Sequence, residues 1–490
     1  MNRKTNELIK CIARHVNMGH VKRNECVIRH VMRLVGAPGT GAGQAGGGQD
    51  AAWAESKSWY DLIHNEKVSG RALRALRADV VRERFDPSAP VAVLHDVTEL
   101  DYTRHASKRE RMEIGDHQGH GYEYHPCVAW DPRAQRFLGV LHDTVISHAG
   151  PDDGDTMDYQ GDPLLAHWDE AERDALRGNH RHQLATHIRG LATLAPGQPM
   201  AHVADREFDD IPAMAAARQV GHDFVFRVLG NRTVLIEDAD GQRVARAMKT
   251  LVATLPLTPY KDVALDARGH VAYGGGRPKR VARLFIGACR VWLYRPAARG
   301  QRRDVKLPEP LAVNLVVIRE PDPPPGIDPL CWLLFTSLPV DTPDQQAWVG
   351  ALYEQRWRIE EYFKLLKSGF RIEFTHFTQP EQIAKVLVFY SLAAMALLLL
   401  KTDLHIAPTG PLDKDTYAQV RHAMRHPDDP TLDPSLQLFA LILRAGGWFG
   451  RRTDPIGPTI LMRGMLQVMA MFSMVNQFPE LINALAKYYS

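Results

Sequence analysis

The alternation of apolar and polar positions predicts a layered arrangement of strands and helices between residues 91 and 230. The runs VAVLHD (91–96) and MAHVADRE (200–207) are short, apolar and end in acids, which is typical of buried strands. HPCVAWDPRAQRFLGVLHDTVISH (125–148) predicts a hairpin with an Asp-Pro turn. A helix, a further helix at DIPAMAAARQVG and a strand at HDFVFRVLG complete the series. This order predicts an α/β unit with a mixed sheet.

The remaining segments show other sequence patterns. Residues 231–340 alternate short apolar runs with Gly and Pro, which predicts a β-rich insertion. One long helix is predicted from about Thr342 to Ser368, and residues 373–490 read as helical. Residues 1–85 are predicted to be helical, with a Gly-rich linker at 36–50, and are a possible DNA-binding region. Their basic segment fits either DNA binding or a solvated helix face, and the solvated face is favoured; it contains Arg71, Arg74, Arg77, Arg82 and Arg84.

Composition adds few constraints. The net charge of +3 is only mildly basic, so local charge clusters must carry any argument for nucleic acid. The five cysteines contain no C-x-x-C pair, which favours reduced thiols in a cytoplasmic protein over disulfides or a zinc site. The N-terminus has no apolar signal segment. The apolar run Val386–Leu400 is shorter than the ~20 residues of a membrane span, which favours a buried core helix.

Two aspartates occupy the ends of predicted strands. Asp96 ends VAVLHD and Asp205 ends MAHVAD. Functional groups in α/β sheets tend to lie at the carboxyl ends of strands, and carboxylate pairs suit Mg²⁺ or Mn²⁺. Each aspartate alone is more typical of a turn or helix cap than of a metal ligand.

A third acid comes from the segment YEQRWRIEEYFKLLKSG. Its spacing predicts one helical face that carries Tyr353, Arg356, Glu360, Lys364 and Lys367. A solvated helix could also pair Glu360 with Lys364, but it rarely adds Tyr and Arg to the same stripe. Three acids can hold two metal ions ~3.5–4 Å apart, which serves phosphodiester cleavage.

These motifs resemble those of the IS-four-type bacterial DDE transposases, in the branch that contains the transposase of transposon five. The signature Y-x2-R-x3-E-x6-K is matched by Tyr353, Arg356, Glu360 and Lys367. HDVTELDYT and ADRE resemble the family's two aspartate motifs, although Val97 replaces a threonine, and GGWFGRRTDPIGPTILMRGM resembles its C-terminal segment. The similarity runs from about Val91 to Met465, whereas the first 85 residues match poorly.

The resemblance implies an RNase H-like catalytic core (86–230 and 341–372) with a β-rich basic insertion and a helical dimerisation region (373–490). Asp96, Asp205 and Glu360 would be catalytic ligands of two Mg²⁺ or Mn²⁺ ions. Tyr353, Arg356, Lys364 and Lys367 would contact DNA near the cut. Arg227 would contact a phosphate, and Trp332 would stack on a flipped base, with core packing as its alternative.

The insertion also carries a basic stretch. The segment from Arg277 to Lys306 contains ten cationic residues, including Lys279 and Arg280, and one acid. Trp292 and Tyr294 lie among them. This pattern suits a phosphate backbone, and we expect it to lie along transposon-end DNA.

The sequence therefore predicts a cut-and-paste transposase that acts on double-stranded DNA at its inverted-repeat ends and target. A homodimer without a membrane partner is expected in the cytoplasm, associated with the nucleoid. Two alternatives stay open, namely an inactive remnant that only binds DNA and an RNase H-like nuclease that lacks strand transfer. The two enzyme interpretations depend on whether the two aspartates and Glu360 converge.

Overall fold

The structure, a computed structural model, divides into two compact units. Unit 1 comprises Met1–Phe85, Val97–Gly154 and Arg358–Ser490, and unit 2 comprises Asp86–Asp96 and Asp155–Trp357. The described residues are 3–36, 49–115, 117–151, 180–265, 279–294, 310–403, 414–427, 429–448, 450, 460–461, 463–464 and 467–468. The Gly-rich linker lies outside them at 37–48, as do most residues of the C-terminal motif.

Unit 1 combines helices with an antiparallel sheet. Its described helices are α1 (Arg3–His15), α2 (Val21–Gly36), α3 (Gln49–His64), α4 (Gly70–Arg82), α9 (Arg358–Lys364), α10 (Pro380–Asp403), α11 (Lys414–Arg425) and α12 (Pro434–Ala445), with a π turn at Leu365–Gly369 and a 3₁₀ turn at Ile372–Phe374. Its strands are β2 (Thr98–Asp101), β3 (Met112–Ile114), β4 (Gly119–Asp131), β5 (Arg136–Ser147) and β6 (Gly150–Pro151). The predicted hairpin is β4–β5, and the Asp131 carboxylate accepts the backbone N–H groups of Arg133 and Ala134 in its turn.

The apolar helix α10 packs on this hairpin. By length and composition Pro380–Leu398 could cross a membrane, but 89% of that window is buried inside the protein, as a core helix requires. Gly139 on β5 has φ +141°, and a Cβ there would come within 2.5 Å of Met395 on α10 and Val81 on α4. The absence of a side chain at Gly139 therefore lets both helices approach the strand closely.

A buried ion pair connects the N-terminal helices to the hairpin. Arg77 on α4 donates two hydrogen bonds to Asp143 on β5, at 2.6 and 2.7 Å, and both side chains are almost fully buried. The Tyr124 hydroxyl donates to the same carboxylate at 2.9 Å and lies 3.0 Å from the hydroxyl of Tyr362 on α9. Burial alone would raise the pKa of Asp143, but the Arg77 guanidinium holds it well below its usual range. The solvated face favoured for this basic segment is therefore wrong at Arg77.

Unit 2 is built on a mixed sheet. Its described strands are β1 (Val91–His95), β7 (Met200–Ala204), β8 (Asp223–Arg227), β9 (Thr233–Glu237), β10 (Arg243–Ala247), β11 (Thr258–Leu265), β12 (Arg280–Leu293), β13 (Leu311–Arg319) and β14 (Cys331–Thr336). The order is β10-β9-β12-β13-β14-β8-β7-β1, with β11 on β12. β1, β7 and β8 are parallel, and β14 runs antiparallel to β8.

Four helices of unit 2 accompany this sheet in the described part of the chain: α5 (His180–Leu194), α6 (Ile211–Gln219), α7 (Met248–Thr254) and α8 (Pro343–Gln355). The sequence specifies where two of them begin. Asp210 caps α6 by accepting the N–H of Ala213, and Thr342 forms a capping box with Gln345 at the start of α8. The two strands and the helix predicted between residues 200 and 230 are present. The region 231–340 is rich in strands, as predicted, with α7 as its described helix.

The single helix predicted from Thr342 to Ser368 is wrong. α8 ends at Gln355, α9 begins at Arg358, and residues 365–369 form a π turn. The Arg356 N–H bonds to the Tyr353 carbonyl, an i→i−3 bond that tightens the turn, and Phe370 bonds back to Leu365. The predicted helical spacing from Tyr353 to Lys367 is therefore interrupted twice.

We expect Asp143→Asn to destabilise the fold by about 3–5 kcal/mol, because Arg77 would remain buried without its counter-charge. The pKa of Asp143 is lowered by folding, so its contribution is complete above about pH 3.9 and is lost as the pH falls toward the folded pKa. Urea denaturation at neutral and acidic pH measures both effects.

The matched control is Asp61→Asn, because Asp61 forms an exposed ion pair with Lys57. That change should cost no more than about 1 kcal/mol. Equal stability losses in the two variants would show that the Arg77–Asp143 pair does not stabilise unit 1.

Candidate functional site

The two strand-end aspartates lie opposite each other in unit 2. β1 pairs with β7 in the register Val91↔Met200 to Leu94↔Val203, and the same register, continued past both strand ends, sets Asp96 opposite Asp205. Neighbouring strands are roughly 4.8 Å apart. The prediction that Asp96 and Asp205 each follow a buried strand is confirmed, and the two strands are parallel neighbours.

The Asp205 side chain accepts a hydrogen bond from the main chain that directly follows it. Asp205 precedes a 3₁₀ turn at Arg206–Phe208, and its Oδ1 accepts the Glu207 N–H at 2.8 Å. The Asp205 residue is partly exposed, whereas only 12% of the Asp96 side chain is exposed. The site therefore combines one shielded carboxylate with one that reaches solvent.

Arg356 supplies a positive charge beside both acids. Its Nη1 donates to Asp96 Oδ2 at 2.5 Å. Burial would lower the pKa of the Arg356 guanidinium, but Asp96, Tyr353 and Asp205 together raise it above its usual value. The sequence predicted Arg356 as a DNA contact and gave no sign of this ion pair, because its partner lies 260 positions earlier in the chain.

Three histidines form a hydrogen-bonded chain within the same part of unit 2. His95 Nε2 lies 2.9 Å from His202 Nδ1, and His202 Nε2 lies 3.0 Å from His222 Nδ1. Burial lowers the pKa of His95 to about 3 and that of His202 well below its usual value, so both are neutral. His95 directly precedes Asp96 and His202 lies on β7, so the chain ties the two strands together close to the carboxylates. The sequence showed the histidines but not their partners.

The carboxyl end of β8 and the beginning of β14 meet the same sheet edge. Arg227 is the last residue of β8 and pairs with Leu334, so Trp332 lies beyond it toward the edge that carries Asp205. The Trp332 ring packs edge-on against Tyr353, with 5.5 Å between ring centroids. Tyr353 is 6% exposed, which leaves it little surface for the predicted DNA contact, whereas Trp332 and Arg227 are partly exposed.

The other predicted residues of the signature belong to unit 1. Glu360 is partly exposed in the first turn of α9, and Lys364 is exposed at the end of that helix. Lys367 lies in the π turn with its Nζ 3.6 Å from a Glu373 oxygen. Glu360 and the two lysines thus follow the interruption after α8.

A basic ribbon extends the sheet of unit 2. β12 begins at Arg280 but pairs with β13 only from Phe285, so its first residues pair with β11 alone. Because β13 runs antiparallel to both β12 and β14, this projecting end lies at the sheet edge that carries Asp205. Lys279 is exposed there, whereas Arg277 and the cations from Arg295 to Lys306 lie outside the described residues.

Arg280 does not fit its predicted role. It forms a two-pronged ion pair with Glu320, with Nη2 and Oε2 2.8 Å apart, and only 8% of its side chain is exposed. The guanidinium is already satisfied inside the protein, which argues against contact with a phosphate backbone. Its neighbour Arg283, with 76% of its side chain exposed, is better placed.

The donor set of the aspartate site fits a divalent cation. Carboxylate oxygens are the ligands that Mg²⁺ and Mn²⁺ prefer, and Asp96 and Asp205 present such oxygens at one edge. The guanidinium of Arg356 already occupies a cationic position beside them. The electrostatic field there therefore favours positive charge.

Comparison with known proteins identifies the family of this chain. The chain resembles a solved piggyBac transposase synaptic complex with hairpin DNA, at 10% identity and a TM-score of 0.33, over 82% of this chain and 66% of that one. The chain thus spans just under two thirds of that protein. The family model for the transposase DDE domain matches residues 87–398, which include Asp96, Asp205 and Glu360. This chain belongs to the transposase DDE domain family.

Proposed function

We propose that this protein is a cut-and-paste transposase that cleaves DNA at the ends of an insertion sequence and joins them to target DNA. The observation that carries the proposal is the register of β1 and β7, which sets Asp96 opposite Asp205 with Arg356 beside both. Glu360 is the third acid of the proposed site, and an RNase H-like core is the proposed arrangement that brings it to the aspartates.

Asp96, Asp205 and Glu360 would hold divalent cations, proposed to be two Mg²⁺ or Mn²⁺ ions. Such ions supply charge neutralisation at the scissile phosphate and at the leaving oxygen. Asp205 holds one oxygen toward the Glu207 N–H, which fixes the orientation of its carboxylate. The neutral histidine chain behind β1 and β7 would keep the strand ends in register while charge at the site changes.

The side chains around this edge are suited to grip DNA. Arg227 would hold a phosphate near the cut, and Trp332, supported by Tyr353, offers a ring face to an unstacked base. Lys279 and Arg283 on the β11–β12 ribbon would contact the backbone farther away. Lys364 and Lys367 would add phosphate contacts beside Glu360. Because two transposon ends must be held together, a homodimer formed through the helical C-terminal region is proposed.

The decisive experiment is a Mg²⁺-dependent cleavage assay on linear DNA that carries the inverted repeats flanking the gene. Asp96→Asn, Asp205→Asn and Glu360→Gln should each lower nicking by ~10³-fold or more, since several kcal/mol of transition-state stabilisation depend on the metal ligands. DNA binding, measured by gel shift, should persist in all three variants.

Glu361→Gln and Asp240→Asn are the matched controls. Glu361 neighbours Glu360 on the same helix but pairs with Arg358 at 3.6 Å, and Asp240 is an exposed turn acid. Both should cleave normally. Binding without any nick in the wild type would favour an inactive remnant, and nicks without joined product would favour a nuclease. Cleavage by Glu360→Gln at the wild-type rate would remove Glu360 from the site.

The ion pair of Arg356 with Asp96 offers a second test of the site. Because this guanidinium and a metal ion would compete for Asp96, Arg356→Gln should raise the affinity of DNA-free protein for Mn²⁺ by about tenfold, the equivalent of one charge-assisted hydrogen bond. Nicking should fall nevertheless, because the guanidinium would otherwise move to a phosphate once the ion is bound. Titration calorimetry with Mn²⁺ measures the first effect, and the cleavage assay measures the second.

Arg246→Gln provides the comparison, since Arg246 is exposed on β10. Its Mn²⁺ affinity should equal that of the wild type. Unchanged or weaker Mn²⁺ binding by Arg356→Gln would contradict the competition.

A further inference from the structure

A second cluster of potential metal ligands lies in the N-terminal helices of unit 1. Cys11 and His15 are one helical turn apart on α1, and Glu83 directly follows α4. The Cys11 thiol donates to Glu83 Oε2 at 3.1 Å, and His15 Nε2 lies 2.5 Å from Glu83 Oε1. The three ligand atoms lie within 4.8 Å of one another. One sulfur, one imidazole nitrogen and one carboxylate oxygen thus lie close to one another.

This donor set is chemically different from the aspartate site. Thiolate, imidazole and carboxylate are the ligands of Zn²⁺, whereas Mg²⁺ takes oxygen alone. Tetrahedral zinc, with bonds of about 2.0–2.3 Å, sets its ligand atoms roughly 3.2–3.7 Å apart. The two contacts of Glu83, at 3.1 Å to Cys11 and 2.5 Å to His15, are shorter than that, so the His15 and Glu83 side chains would have to rotate apart to admit an ion.

The three side chains of the cluster differ in their exposure to solvent. Cys11 is buried, whereas 28% of the His15 side chain and 36% of the Glu83 side chain are exposed. An ion can therefore enter from the solvent side, where a water molecule would complete the fourth position. The buried thiol would form the inner wall of the site.

We propose that Cys11, His15 and Glu83 form a Zn²⁺ site that fastens α1 to the end of α4. Binding replaces the Cys11 S–H bond by a sulfur–zinc bond and releases that proton to solvent, while neutral His15 and ionised Glu83 donate lone pairs. No oxidant or reductant is involved. Cysteine spacing gave no sign of the site, because it uses one cysteine only, and the expectation of no zinc site rested on that spacing.

Protonation and a neighbouring cation both oppose the ion. Affinity should rise with pH, because zinc binding must displace the proton of the Cys11 thiol. Arg14 donates to Glu83 at 2.5 Å, but 60% of its side chain is exposed, so it can turn away into solvent. Arg14 and zinc are thus competitors for the same carboxylate.

Cobalt substitution tests the proposal on the full chain. Co²⁺ added to protein stripped with chelator should give the near-ultraviolet thiolate-to-cobalt absorption band at one equivalent, and Zn²⁺ should displace it. Cys11→Ser should abolish the band and His15→Ala should weaken it. Arg14→Ala should strengthen cobalt binding. Oxygen-only binding at the aspartate site gives no such band, so the result does not depend on the proposed catalytic function.

Cys26→Ser is the matched control, because Cys26 is a partly exposed thiol on α2 of the same region. It should keep the full band, and Zn²⁺ should raise the melting temperature of this variant and the wild type but not of Cys11→Ser. Circular dichroism confirms that each variant is folded. If folded wild type gives no thiolate band, or if Cys11→Ser keeps it, Cys11, His15 and Glu83 form a hydrogen-bonded contact between helices and no metal site.

Discussion

The register between β1 and β7 is the constraint on which the functional part of the molecule depends. A shift of one residue would turn every side chain of a strand to its other face. The observed pairing buries all five residues of both strands and sets Asp96 and Asp205 opposite each other at their ends. The hydrogen-bonded pairing that joins the strands therefore also sets the relative position of the two aspartates along the sheet edge. The His95–His202–His222 chain adds specific contacts that a shifted register would break.

Arg356 connects this sheet edge to α8, a helix of unit 2. α8 begins at its capping box and ends one residue before Arg356, whose guanidinium bonds to Asp96. The helix is therefore interrupted at Arg356 and Trp357, beside the Asp96 carboxylate. A residue that the sequence motif suggested only as a DNA contact is, in the protein alone, the counter-charge of that site.

The sequence predicted what local pattern controls and missed what distant pairing controls. Short apolar runs that end in acids identified β1 and β7, and the Asp131 turn identified the β4–β5 hairpin. Periodicity alone extended one helix through Arg356 because it does not register a single tightened turn. Arg77 and Arg280 looked like surface cations, since their partners, Asp143 and Glu320, lie 66 and 40 residues away. The hydrophobic pattern of a sequence shows which face of a helix or strand a side chain occupies, but not which charged residue it will contact.

The Arg77–Asp143 pair also bears on where this protein can be divided. The family match begins at residue 87, and the poor resemblance of the first 85 residues suggests a separable module. A chain trimmed at that boundary would lose Arg77 and leave the Asp143 carboxylate and its tyrosine partner in an apolar interior without their cation. The N-terminal helices are thus part of the packing of the β4–β5 hairpin, and they supply the cation of its buried ion pair. A boundary drawn by sequence relatedness would here cut through the middle of a folding unit.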